Sequence, residues 1–167
     1  ADKSFGLLSD FCSILRREQF PVISSVSGEL TPSFHRTIFE AILFCVRAIR
    51  RGTDELSTIE NGSVASQNVV TALVSTLEVV GESFVILVQR AAVNGQISGN
   101  DVKLQLEAQE LSRDIIVALS LIEEVTRPLY GVPPNLWLSV LDHYGVIPTL
   151  INLFVAGTDA AIQDVKR

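Results

Sequence analysis

Between Val69 and Ala92 the chain reads VVTALVSTLEVVGESFVILVQRAA. Val69, Leu73, Leu77, Val80, Phe84, Leu87 and Ala91 recur at steps of three or four, which places them on one side of an α-helix. Val70, Val74, Val85 and Val88 add a second stripe. β-Branched side chains lower helix propensity, so a buried strand is the rival reading for 85–88. A period near 3.6, held over roughly six turns, decides for helix. The spacing predicts a helix over 64–93, weakened at Gly81 and closed by Asn94-Gly95.

The same period continues on both sides. Upstream, Phe5, Leu8, Phe11, Cys12 and Leu15 predict a helix over 4–18, broken by Pro21, with a short element of open type at 22–27. Thr31-Pro32 supplies an N-cap and a proline at the first helical position. The helix it starts carries Phe34, Ile38, Ile42, Cys45 and Ile49 and is expected to stop at Gly52. The polar stretch 53–63 then reads as a surface loop.

Downstream, Ser98 and Asp101 form a capping-box-like start for a helix running to Arg127. Its inner face is Leu104, Ala108, Leu111, Ile115, Ala118, Ile122 and Val125. Lys103, Glu107, Glu110 and Arg113 lie outside, whereas 115–122 carries no charge, which predicts a second half buried on several sides. Pro128, Gly131, Pro133 and Pro134 make a stiff connector to three short helices at 135–144, 147–156 and 158 onward. No strand signal interrupts the pattern. The expected fold is all-α: an irregular helical bundle or α-solenoid fragment with two long antiparallel helices and short C-terminal helices. One domain spans 1–167, divided into a long-helix bundle (1–127) and a repeat-like end (128–167). A start at Ala1, the absence of Met and an end within helical pattern read as a piece of a longer polypeptide.

Hydrophobic residues make up 47% of the 167 and charged residues 19%, against about 25% charged in average soluble domains. That excess demands a large core or a surface that meets a neighbour. A membrane span needs about 20 apolar residues. The 69–93 stretch is interrupted by Glu78, Glu82 and Arg90, and the uncharged 144–158 is short and contains Pro148, so no membrane insertion is expected. A net charge of −6 argues against nucleic acid as a partner. Arg47, Arg50 and Arg51 read as cations complementing a helix C-terminus, as do Arg16 and Arg17. Cys12 and Cys45 fall in apolar pattern, which predicts buried thiols and a reducing, intracellular compartment. Asn61-Gly62-Ser63 reads as an ordinary loop.

No phosphate loop, metalloprotease helix, nucleophile elbow or Cys-x-x-Cys is present. His35 and His143 lie in separate helices, and joining them to Cys12 and Cys45 in a zinc site would need a coincidence of folding. The expectation is a non-enzyme without cofactor or metal. Glu123 is expected to pair with Arg127 at i,i+4. Glu78 and Glu82 mark a solvent stripe. Trp137 and Tyr144 bracket the helix after the prolines, where Trp137 reads as core before it reads as interface.

Gly145-Val146-Ile147-Pro148-Thr149-Leu150-Ile151-Asn152-Leu153-Phe154 resembles the opening of an armadillo or HEAT-type repeat. The long helices exceed those of such repeats. With Thr31-Pro32-Ser33-Phe34 ahead of an apolar helix, they are similar to the irregular solenoids of the large scaffold nucleoporins in the nuclear pore inner ring. The resemblance implies a structural, non-enzymatic part of a large assembly at the nuclear envelope. Its partners would be other proteins or neighbouring helical repeats of the same parent chain. Leu150, Phe154 and Ile162, with Trp137 and Tyr144, form the candidate interaction surface. The alternative is a helical-bundle carrier of a lipid or other apolar ligand, with its apolar excess lining a cavity.

Overall fold

A helix with apolar stripes on more than one side needs neighbours on more than one side, and the fold is arranged around that demand. The computed structural model describes residues 2–17, 34–59, 66–97 and 102–166. These form α1 (Asp2–Arg17), α2 (Phe34–Ile59), α3 (Gln67–Ile97), α4 (Val102–Thr126), α5 (Pro134–His143) and α6 (Val146–Val165), with no strand among them. The protein is all-α.

Three expected helix ends move. α2 runs through Gly52 into the segment predicted as a loop, where Thr53 Oγ1 donates to the Ile49 carbonyl at 3.0 Å. α3 passes Asn94-Gly95 and stops at Ile97, and α6 passes Gly157, so the three predicted short helices are two. One glycine inside a helix costs about 1 kcal/mol relative to alanine, which the remaining helical contacts outweigh. The element predicted at 22–27 and the caps at Thr31-Pro32, Ser98 and Asp101 lie outside the described residues.

Helix directions follow from side-chain pairs. Arg36 meets Glu110 and Asp114, Arg47 meets Glu124, and Asp54 meets Arg127. Numbers rise together, so α2 and α4 run parallel. Cys12 beside Thr76 and Arg16 beside Glu78 set α1 parallel to α3 in the same way. α3 and α4 follow one another closely in sequence and pack along their lengths, so they are antiparallel. The result is two antiparallel helix pairs side by side, α1 next to α3 and α2 next to α4.

α3 is the common member. Leu73, Leu77, Val80, Phe84 and Leu87 are buried at its centre. Ala72 faces α1, while Gly81 faces the junction of α5 and α6. Nine residues at about 100° each place these two on opposite sides of the helix. By length and composition, 67–92 could cross a membrane, its most apolar 18 residues having a mean hydropathy of 1.8, and α5 with Val146–Gly157 passes the same test as a pair bent by 78°. The charges cited against it at sequence level therefore do not disqualify it. Half of those 18 residues of α3 are already buried in the bundle, and Glu82 is exposed.

Gly81 is a notch. A Cβ there would stand 3.0 Å from Cγ2 of the buried Val146. Val146 is delivered by a tight turn in which Gly145 adopts φ +75°, a region costly for side chains with a Cβ. Gly81→Val should therefore cost about 1–3 kcal/mol through overpacking. Val146→Ala in the same chain should recover part of that loss. Strictly additive costs in a denaturant double-mutant cycle would show that the two residues do not meet.

Candidate interaction surface

The polar contacts of the bundle concentrate between α2 and α4. Asp114 is buried, and its Oδ1 accepts from Arg36 Nε at 3.1 Å. Arg36 also donates to Glu110, which in turn receives Arg113 at 2.8 Å. Burial alone would lower the Arg36 pKa, but Glu110 and Asp114 together raise it. At the other end, buried Arg50 donates from Nη2 to the carbonyls of Val125 and Arg127 at 2.7 and 2.5 Å. It thus satisfies the C-terminus of a neighbouring helix, and not of its own. Its Nε and Nη1 are buried without a partner among the described residues, and burial followed by the nearby Arg127 lowers its pKa.

This seam corrects three sequence expectations. Arg50, expected to complement the C-terminus of its own helix, serves that of α4. Arg127 pairs with Glu124 and Asp54, at 3.5 Å each, in place of Glu123. Glu110 is an inter-helix partner and not a bystander on an outer face. The expectation of a second half of α4 buried on several sides also fails. Ile115 is half-buried and Ile116 is 62% exposed, while Asp114, Ala118, Leu121, Ile122 and Val125 form the covered wall. α4 packs chiefly on α2 and α3, so one side stays open.

Among the described residues, no three of His, Cys, Asp and Glu gather as a metal site would require. His35 is buried on α2; His143 is exposed on α5. Cys12 and Cys45 are buried free thiols, with Cys12 Sγ 3.9 Å from Thr76 Oγ1. A groove of about 350 Å³ between α1 and α3 is lined partly by Ser9, Ser13, Ser75 and Thr76. Another, near the end of α4, is lined by Arg47, Glu123, Glu124 and Arg127 among others. Phe5, Leu8, Ala72 and Val79 share the first with these hydroxyls, and charges line the second.

The apolar surface lies elsewhere. Of the five residues expected to form it, Trp137 is buried and belongs to the core. Tyr144 and Leu150 are half-buried and pack against that core at the neck of α6, with the Tyr144 ring edge-on to His143 at 5.1 Å. Phe154 is 77% exposed. The Ile162 side chain lies outside the described residues. Three further residues complete the surface: Ile151, Leu153 and Val155, at 57%, 39% and 50% exposure. Their signal in the sequence was the uncharged run 144–158, whose exposure periodicity could not reveal. From 151 to 157 every side chain of α6 is exposed, so the helix leaves the bundle after its first turn. Leu7, Phe44 and Tyr130 are exposed singly on other elements, as is ordinary.

Fold and surface define an all-α protein of paired helices with a projecting apolar arm. Compared with known families, curated proteins and solved structures, the chain shows no match.

Two outcomes test this geometry. Arg36→Ala removes the guanidinium from buried Asp114 and should cost about 3 kcal/mol, whereas Arg113→Ala, at the exposed edge, should cost under about 1 kcal/mol. Equal denaturant midpoints would show that the seam is solvated. The thiols supply the second test, since burial raises the pKa of both Cys12 and Cys45. Neutral thiols are favoured in the fold, so their contribution is full below the ordinary thiol range and lost as pH rises through it. An aromatic disulfide reagent at neutral pH should label both only on unfolding; rapid labelling of native protein would contradict their burial.

Proposed function

We propose that this chain is a structural, protein-binding module, a stretch of α-solenoid within a large helical assembly, and that it carries out no catalysis. The observation that carries the reading is the arm: Ile151, Leu153, Phe154 and Val155 lie exposed on consecutive turns of one helix. Exposed apolar surface of this continuity marks a place where another macromolecule sits. The layout adds support, since antiparallel pairs set side by side are how helical repeats stack. The stretch resembling an armadillo or HEAT-type opening falls on the elbow where α5 turns into α6. On this reading the partners are other proteins or neighbouring repeats of the same parent chain. The resemblance points to the inner ring of the nuclear pore as the assembly.

A carrier of lipid would hold its empty space inside. Here the centre is occupied by Leu73, Leu77, Val80 and Phe84. The net charge of −6 disfavours nucleic acid.

The experiment compares the natural full-length protein with its Leu153→Asp, Val155→Asp form in native extracts. The unaltered protein should sediment with a large complex, and the double variant should lose at least nine-tenths of that association, about tenfold. Helical circular dichroism should be unchanged, because neither side chain is buried. Equal sedimentation of both forms, or a monomer that retains lipid in a native mass spectrum, would overturn the reading.

A further inference from the structure

We draw no further inference here: the strongest candidate, the apolar stretch of α6 left exposed from Ile151 to Gly157, carries none because nothing in the structure shows what covers it.

Discussion

Leu73, Leu77, Val80, Phe84 and Leu87 on α3 leave water almost completely, and they do so against different neighbours. Each such side chain is worth roughly 1.5–3 kcal/mol when transferred from water to a packed interior. No other helix is shared so widely: α1, α4, α5 and α6 all pack on it, and α2 reaches it more lightly. The first two helices find their place relative to the last two through this one rod. Its many valines, poor helix formers on their own, are tolerated because burial on several sides outweighs their intrinsic cost.

The seam between α2 and α4 acts differently. Ion pairs that lose hydration add little net stability, and what they contribute best is a preferred alignment. Arg36 with Asp114 at one end and Arg50 with the α4 carbonyls at the other sit about four turns apart along α2. Sliding one helix along the other by a turn would separate both sets at once and strand a buried carboxylate and a buried guanidinium. The apolar contacts of these helices are less particular about such a slip. The charged residues therefore fix the parallel arrangement that the hydrophobic pattern leaves free.

Periodicity made all six helices visible, because a 3.6-residue repeat survives every substitution among apolar residues. Where they stop was less legible. Gly52, Gly95 and Gly157 look like terminators by composition, yet the helices continue through all three. Gly131 and Gly145, by contrast, do take positive φ and do lie in turns. The residue type permits a stop, and only the surroundings decide whether it is used. Partners separated by 78 positions, such as Arg36 and Asp114, leave no local trace, so Glu110 was read as a surface charge and Arg50 as a cation complementing its own helix. The arm was half legible. Its lack of charge stood plainly in the sequence, but which residues the bundle would cover depended on where α6 pivots away from α3. Trp137 and Ile151 carry the same apolar signal and end on opposite sides of that decision.

The contact between Gly81 and Val146 also sets a mechanical scale. α6 has 20 residues and so extends about 30 Å, and among its described side chains those covered by the bundle lie between 146 and 150. Such a helix behaves as a lever with its fulcrum in a notch one methyl group wide. A rotation of about 10° at the notch carries the far end through roughly 5 Å, close to one helical turn. The placement of the exposed stretch 151–157 is thus governed by a single absent side chain at position 81.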